Sequence, residues 1–402
     1  MNLLHVISSM NPATGGPCQG IRNSNQSLSN LGVHREVVCL DDPSASFLGH
    51  DPFPNHAVGP GKGTWHYSQK LIPWLLENFH RFDVIIVNGL WQYHGYAVRK
   101  ALDLYKKERS VNGASNKIVP KLFIMPHGML DPYFQRAKSR KLKSIRNWFY
   151  WKLIEKKVVN EADGILFTCE EELRLARQTF REYNPKRELN VGYGIEAPPA
   201  FSELMKSEFL KKLPYLKDKR FLLFLSRVNE KKGVDLLITA YINFANANPG
   251  LQLPKLVIAG PNSETKYGKE MQLLAFDLKK NSDNIFFTGM LSGNVKWGAI
   301  YGCEAFILPS HQENFGIAVA EALACSKPVL ISDQVNIWRE IEFAQGGIIK
   351  KDSLDGTADL LETWLTLSAD EKRLMGQNAF RCFDESFKVK LAAEKFYHAI
   401  SS

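Results

Sequence analysis

Short apolar runs that alternate with longer helical stretches are the feature that most constrains the fold of this chain. In the first half, runs typical of buried strands lie at residues 3–7, 36–40, 84–87, 121–125 and 165–168. Helical stretches separate them, for example at 20–31 and 95–107. Because strands that alternate with helices form parallel sheets covered on both faces, we predict a doubly wound α/β domain.

The same rhythm restarts after residues 196–200, a stretch with two prolines and no periodicity that is typical of a linker. Further strands are predicted at 221–225, 255–259, 285–288, 305–308 and 329–332. A chain of 402 residues suits two such domains, with the division near residue 198. Ligands of open α/β sheets bind at the carboxyl ends of the strands, so an interdomain cleft is the expected active site.

Composition argues against several other classes of protein. With 45% hydrophobic and 23% charged residues, the chain is predicted to be globular rather than disordered. We expect no transmembrane helix or signal peptide, because no apolar run approaches about 18 residues and the first residues lack a basic region. The six cysteines form no CxxC pair, so neither a zinc site nor a disulfide framework is predicted, and a cytoplasmic location is expected.

The net charge of +9 is concentrated in residues 136–157, which contain nine lysines and arginines and one acid. Such a local patch does not indicate a nucleic-acid-binding fold. The segment also carries four aromatic residues, at 148–151. It is suited to an anionic membrane surface, such as the inner face of the plasma membrane. The alternative is a solvated basic helix whose aromatic side chains belong to the core.

Two motifs of the first domain lie at predicted strand ends. Gly15 and Gly16 follow the first strand and precede a helix, which lets the backbone approach a diphosphate, although an ordinary turn has the same pattern. His127 follows the strand at 121–125. It is placed to bind a sugar hydroxyl or to stabilise charge near an anomeric carbon, and the alternative is an ordinary turn histidine.

A third motif places Arg227 and Lys232 after the strand at 221–225. Arginine offers a planar fork and lysine a point charge, and both are suited to hold a diphosphate. They are equally suited to stabilise that diphosphate as it leaves, because negative charge develops on the departing phosphate. The alternative is a solvated basic turn without a ligand.

A fourth motif spans residues 309–322. Gly316 begins a helix there, and the first amide groups of that helix, at 316–319, are suited to bind phosphate. Glu313 before the helix and Glu321 within it are suited to vicinal hydroxyls of a sugar and a ribose, because a carboxylate has two acceptor oxygens. Glu321 is alternatively a surface acid, although its neighbours are apolar.

These motifs follow the order seen in the retaining glycosyltransferases of family four, also called group 1 glycosyltransferases, which the sequence resembles over about residues 5–400. The spacing of eight between Glu313 and Glu321 matches the paired-glutamate motif of that family. The resemblance implies an α/β GT-B fold, with two facing Rossmann-like doubly wound domains. It also implies that the terminal helix at 387–400 returns to the first domain. The resulting acceptor domain and donor domain comprise 1–198 with 384–402 and 199–383.

The resemblance further implies a role for each motif and neither a cofactor nor a metal. Glu313 would contact the 3- and 4-hydroxyls of the donor sugar, His127 its 6-hydroxyl, and Glu321 the ribose. The implied catalytic residues are His127, Arg227, Lys232 and Glu313. The implied donor-binding residues are Gly15, Gly16, Gly289, Met290, Leu291, Asn314, Phe315, Gly316, Ile317 and Glu321. Asn88 is assigned to acceptor binding, although many relatives have a histidine there.

The leading hypothesis is hexose transfer from a nucleotide sugar to a polysaccharide or lipid-linked saccharide of the cell surface. A UDP-sugar such as UDP-glucose is favoured by its frequency in the family. The alternatives are a GDP-mannose-dependent mannosyltransferase, a nucleotide-sugar epimerase of the same fold, and a catalytically silent sugar- or nucleotide-binding protein. The paired glutamates favour transfer over epimerisation, and the complete set of motifs argues against a silent protein.

Overall fold

The computed structural model describes residues 1–112, 119–137, 140–276 and 284–402. The chain divides into two compact units, which comprise Met1–Gly194 with Val389–Ser402 and Ile195–Lys388. In the described part of the chain, each unit contains one parallel β-sheet that helices accompany.

The first unit is built on a parallel sheet. Its strands are β1 (Asn2–Ile7), β2 (His34–Cys39), β3 (Asn55–Ala57), β4 (Val84–Asn88), β5 (Lys121–Met125), β6 (Gly164–Phe167) and β7 (Glu188–Asn190). Across the described residues they lie in the order β3-β2-β1-β4-β5-β6-β7. The helices are α1 (Gly16–Asn23), α2 (Asn25–Asn30), α3 (Leu71–Asn78), α4 (Tyr93–Asn112), α5 (Tyr133–Arg136), α6 (Lys141–Tyr150), α7 (Lys156–Glu161) and α8 (Glu170–Ala176). A π-helical turn, Trp151–Glu155, joins α6 to α7.

The second unit repeats this architecture. Its strands are β8 (Phe221–Leu225), β9 (Lys255–Ala259), β10 (Ile285–Gly289), β11 (Ala305–Leu308), β12 (Val329–Ser332) and β13 (Gly347–Lys350). Their order, for the residues described, is β10-β9-β8-β11-β12-β13. The helices are α9 (Glu203–Lys212), α10 (Val234–Ala247), α11 (Lys266–Phe276), α12 (Gly293–Gly302), α13 (Ile317–Ala324), α14 (Trp338–Ala344), α15 (Leu354–Thr366) and α16 (Ala369–Cys382). The final helix, α17 (Val389–Ser401), belongs to the first unit.

Burial on both faces explains the composition of the central strands. Every residue of β4 is buried, because helices cover both faces of a parallel sheet and each face needs apolar side chains. Five predicted strands are observed with the bounds expected from the sequence, at 121–125, 221–225, 255–259, 305–308 and 329–332. The prediction of one helix over 20–31 was wrong. Two short helices occur instead, and α1 begins at Gly16, where Pro17 suits a first helical turn.

Each sheet has a topological switch point beside its first strand. The chain moves from β1 toward β3 and then returns to β4 on the other side, and β8 and β11 are related in the same way. Loops that leave the carboxyl ends of the two adjacent strands diverge there and leave a crevice, which is where open α/β sheets bind their ligands. The predicted site residues must therefore be located relative to these two points.

Candidate functional site

Two loops meet at the switch point of the second unit. A short turn, Glu230–Lys232, follows β8 and ends at Gly233, whose φ is 65°. A Cβ atom at Gly233 would lie 2.0 Å from the carbonyl oxygen of Pro309, so only glycine allows the turn to pack on the loop after β11. The carbonyl of Lys231 accepts hydrogen bonds from the His311 amide at 2.9 Å and the Ser310 hydroxyl at 3.0 Å. These contacts bring the third and fourth sequence motifs together.

Lys232 and Glu313 form an ion pair where the two loops meet. Their side chains are 6% and 23% exposed. Burial raises the pKa of Glu313, but Lys232, helped by Lys231 and Arg227, outweighs burial and holds that pKa below its usual value. The carboxylate is therefore ionised at neutral pH and can accept hydrogen bonds from sugar hydroxyls. Arg227 is exposed at the same strand end.

Glu321 also lies in an ion pair, which the sequence did not predict. Its Oε1 accepts a hydrogen bond of 2.6 Å from Nζ of Lys296, an atom that also lies 4.3 Å from the ring centroid of Trp297. Lys296 is 25 residues away in the chain and belongs to α12, so no local pattern marks the pair. A ribose diol at Glu321 would have to share the carboxylate with this ammonium group.

The helix that begins after Gly316 differs in one detail from the sequence prediction. Gly316 has a φ of 80° and stands directly before α13. The amide of Val319 donates to the carbonyl of Gly316 at 2.9 Å, so it is not one of the amide groups available to a phosphate. Ile317 opens the helix, while Asn314 and the buried Phe315 lie in the loop before it.

The implied donor-binding residues Gly289, Met290 and Leu291 lie at the end of β10 and in the loop after it. Gly289 has a φ of 67°, and its carbonyl accepts a hydrogen bond from the Gly260 amide at 2.9 Å, which ties the loop to the end of β9. Met290 is exposed, whereas Leu291 is buried. This loop therefore presents main-chain groups and one accessible thioether side chain.

In the first unit, Asn88 connects two histidines. Its Nδ2 donates to Nδ1 of His5 at 3.0 Å, and its Oδ1 accepts from Nε2 of His127 at 3.1 Å. Burial lowers the pKa of His127 to about 4 and that of His5 well below its usual value, so both rings are neutral at pH 7. The main-chain carbonyl of Asn88 accepts from Nε2 of His94 at 2.9 Å. In the neutral tautomer that carries its proton on Nε2, His127 can accept a hydrogen bond from a sugar hydroxyl through Nδ1.

Gly15 and Gly16 lie at the start of α1, which follows β1 and a short turn. Gly15 has a φ of 96°, and no heavy atom of the described residues, apart from each glycine's own neighbours in the chain, lies within 4 Å of a Cβ built on either glycine. The hydroxyl of Tyr193 donates to the Gly16 carbonyl at 3.0 Å and so anchors the start of the helix. The structure thus places an open helix start beside the switch point, as an anion site requires.

Glu172 is a buried residue near His127 that sequence reasoning missed. Its Oε1 accepts from the amide of Gly128, and its Oε2 accepts from the amide of Thr168 at 2.7 Å and from the Thr168 hydroxyl at 2.5 Å. His127 itself has a φ of 51°, an unfavourable conformation that its neighbours must maintain. Glu172 holds this turn, and the run of three glutamates at 170–172 was its only signal in the sequence.

The described part of the basic segment runs from the end of α5 through α6 and the π-helical turn into α7, and residues 138 and 139 lie outside the described residues. Four large side chains, spaced by three or four residues, share one helical face and remain exposed. We call this set the apolar stripe: Leu142 (84% exposed), Ile145 (56%), Phe149 (55%) and Leu153 (74%). Of the four aromatic residues only Trp151 is fully buried, so the interpretation that all four belong to the core was wrong.

The one acid of the basic segment does not offset its charge. Glu155 is buried, and its Oε1 accepts a hydrogen bond of 2.6 Å from the amide of Trp91. Burial raises the pKa of Glu155 to about 8, so its carboxyl group is neutral at pH 7. The face around the apolar stripe therefore carries only positive side-chain charge within the described part of this segment.

The described residues offer neither a metal-binding cluster nor a membrane-spanning helix. No cluster of three or more histidine, cysteine, aspartate or glutamate side chains there is arranged to hold a metal ion. Among the helices described, none is both long enough and apolar enough to span a membrane.

Two doubly wound sheets, with the predicted site residues gathered at strand ends, define an α/β protein of the GT-B fold. The crystal structure of the HepE protein of Anabaena in complex with UDP has the same fold, with a TM-score of 0.72, 17% identity and complete coverage of both chains. Residues 205–381 match the family described as glycosyl transferases group 1. The domain that they form is that of a group 1 glycosyltransferase, and over these residues the resemblance predicted from the sequence is confirmed.

Curated relatives agree with this assignment. The D-inositol 3-phosphate glycosyltransferase of Actinosynnema mirum is 28% identical over 179 residues, which are 44% of this chain and 42% of the relative. The N,N'-diacetylbacillosaminyl-diphospho-undecaprenol alpha-1,3-N-acetylgalactosaminyltransferase of Campylobacter jejuni is 27% identical over 174 residues, which are 43% and 42% of the two chains. The chain thus matches about two fifths of the length of these relatives.

Proposed function

We propose that the protein transfers a hexose from a UDP-sugar to a saccharide or lipid-linked saccharide acceptor, with retention of the anomeric configuration. The observation that carries the proposal is the charge arrangement at the switch point of the second unit. Arg227 and Lys232 present cations beside the ionised Glu313. Glu321 lies in α13, the helix that follows the loop of Glu313. This combination suits a ligand that has a diphosphate at its centre and hydroxyl pairs on either side.

In the proposed reaction, the bond between the anomeric carbon and the diphosphate oxygen breaks as the acceptor oxygen bonds to the same carbon. The acceptor proton passes to the departing phosphate, so no protein general base is assigned. Arg227 and Lys232 neutralise the charge that develops on that phosphate, and we propose that they do so without a metal ion. Glu313 orients the sugar by accepting hydrogen bonds from the sugar hydroxyls, and neutral His127 accepts one more through Nδ1.

Two similar proteins support the choice of donor and acceptor. HepE of Anabaena has been crystallised with UDP and with UDP-glucose. The Campylobacter jejuni relative is named for a diphospho-undecaprenol acceptor. By analogy we propose a UDP-hexose donor and an acceptor that is a saccharide carried on a polyprenyl lipid, in cell-surface polysaccharide synthesis.

A thermal-shift panel of UDP, GDP, ADP and their sugar conjugates tests the donor. A ligand at 100 times its Kd stabilises the folded state by about 2.7 kcal/mol, which is easily detected as a rise in Tm. UDP should give this response, and Arg227→Ala or Glu321→Ala should abolish it. The matched controls Arg373→Ala and Glu342→Ala change exposed residues of the same unit and should retain it. A response to GDP alone would favour a mannosyltransferase, and no response at all would refute the proposal.

We further propose that the apolar stripe and the surrounding cations lie against an anionic membrane. Leu142 and Leu153 are 84% and 74% exposed, although burial of a leucine side chain is worth about 2 kcal/mol. Lys141, Lys143 and Lys152 are exposed beside them, and each lysine near an anionic surface contributes about 1 kcal/mol. A helix with both features is suited to lie in the lipid–water interface.

Vesicle co-sedimentation tests this surface. The protein should pellet with phosphatidylglycerol-containing vesicles at low salt, and the double variant Leu142→Gln/Leu153→Gln should stay in the supernatant. The control Leu204→Gln/Leu374→Gln alters two leucines that are each 55% exposed in the second unit, and it should still bind. Equal binding by both double variants would refute the role of the stripe, and equal binding to neutral vesicles would refute the role of charge.

A further inference from the structure

An aromatic pocket lies in the first unit, next to the π-helical turn that carries Leu153 and Ile154. It has a volume of about 470 Å³. Its lining consists of Trp65, Tyr67, Gln69, Ile72, Tyr93, Tyr96, Lys100 and Ile154. Neither the family motifs nor the proposed donor site uses any of these residues. The pocket therefore needs an explanation of its own.

The pocket opens at the carboxyl edge of the sheet. Tyr93 begins α4, which starts only five residues after Asn88 at the end of β4. Contacts between rings lead from this strand end to the pocket, since the ring centroids of Trp91 and Tyr150 are 6.2 Å apart and those of Tyr150 and Trp65 are 6.3 Å apart. The pocket thus lies at the same edge of the sheet as the predicted acceptor residue.

The aromatic wall is held in place by its neighbours. The amide of Tyr93 donates to the carbonyl of Trp65 at 2.8 Å, and Lys62 and Tyr67 exchange two main-chain hydrogen bonds, at 2.8 and 2.9 Å. The indole nitrogen of Trp65 donates to the hydroxyl of Tyr150. Trp65 and Tyr93 pack edge to face, with centroids 5.1 Å apart. A rigid wall of this kind loses little conformational entropy when a ligand binds.

The polar groups around this wall suit a sugar rather than a lipid chain. Tyr67 is 43% exposed and can offer its ring to the apolar C–H surface of a pyranose, while Nζ of Lys100 lies 5.8 Å from the ring centroid of the partly exposed Tyr96. Gln69 and Lys100 are exposed at the rim and supply hydrogen-bond donors and an acceptor for hydroxyl groups. A polyprenyl chain at the pocket would displace water from these groups without bonding to them, whereas the hydroxyl groups of a pyranose can replace that water.

From this geometry we propose that the pocket binds a pyranose ring of the acceptor saccharide. The inference rests on the proposed transferase function and specifies its acceptor. Ile154 lines the pocket and Leu153 belongs to the apolar stripe, so a lipid-linked saccharide would reach the pocket from the membrane surface. Binding there would orient the acceptor hydroxyl toward the strand end that carries Asn88.

Saturation-transfer difference NMR on the full chain tests this site, because it detects ligand protons that touch the protein. The probes are methyl β-glucopyranoside, methyl α-mannopyranoside, N-acetylglucosamine and farnesol, each measured with UDP in the same tube. At least one sugar should receive saturation. The double variant Tyr67→Ala/Tyr96→Ala should raise the Kd of that sugar about tenfold. Gln69→Ala, which alters an exposed side chain, should weaken the same sugar severalfold without affecting folding.

The control is Tyr215→Ala, which removes an exposed tyrosine of the second unit and should leave the sugar signals unchanged. Three outcomes would overturn the inference. No sugar gives a signal, the sugar signals survive in both pocket variants, or farnesol alone gives a signal that the pocket variants abolish. The uridine signals report separately on the donor site. Their absence would refute the proposed function, while uridine signals without any sugar signals would refute only the acceptor pocket.

Discussion

Replacement of Lys232 by methionine should destabilise the second unit by about 3 kcal/mol. Removal of one partner from a buried ion pair costs roughly 3–5 kcal/mol, because the other charge is left buried and uncompensated. Lys232 is 6% exposed, but the Glu313 side chain keeps 23% of its surface in contact with solvent, so the lower end of that range applies. Urea denaturation of the wild type and of Lys232→Met measures the difference.

The loss should shrink at low pH, and the sign follows from the pKa of Glu313. In the wild type this pKa is lowered, so its contribution to stability is present above the unfolded value of about 4.3 and is lost as the pH falls through the folded value. In Lys232→Met burial dominates and raises the pKa, so the variant gains stability as the pH falls. The two denaturation curves should therefore approach each other between pH 7 and about pH 4.

A second ion pair of the same unit provides the control. Lys351 pairs with Asp333 at 2.8 Å, but its side chain is 85% exposed. Exposed pairs contribute at most about 1 kcal/mol, so Lys351→Met should have little effect. Equal losses in the two variants, or a loss in Lys232→Met that stays constant from pH 7 to about pH 4, would refute the reasoning about the buried pair.

Three further predictions test other contacts, the last of them with a control substitution. Asn88→Asp places a carboxylate beside His127 and should raise the pKa of His127 from about 4. An NMR titration of the imidazole protons measures this pKa, and an unchanged midpoint would contradict the hydrogen-bond network around Asn88. Glu172→Gln should cost about 2–4 kcal/mol in urea denaturation, because an amide cannot accept all of its hydrogen bonds, and wild-type stability would refute that role. Gly298→Ala should cost at least about 1–3 kcal/mol by thermal denaturation, since its Cβ would lie 2.1 Å from a carbonyl oxygen. Gly302→Ala, on the same helix but with its nearest contact at 3.4 Å, should cost less, and equal losses would contradict the steric argument.

The central strands could be predicted because their signal is local. The run at 305–308 is apolar and buried on both faces, and its bounds follow from composition alone. Three of the four edge strands were missed, whereas the edge strand β10 was predicted from its apolar run. The residues of β7 include a glutamate and an asparagine and none is fully buried, so no apolar pattern marks them. The short strands β3 and β13 have at most one buried residue each and were also missed.

What the sequence determined by itself is the order of elements and motifs, since apolar periodicity and glycine spacing act within a few residues of the chain. Strand order and loop packing decided which side chains meet. Asn88 lies 83 residues from His5, and Lys232 lies 81 residues from Glu313, yet each pair is in contact. The ionisation of these groups depends on burial and on partners that only the tertiary structure supplies. The sequence could therefore place the candidate residues. It could not predict the protonation state of His127 or the ion pairs of Glu313 and Glu321.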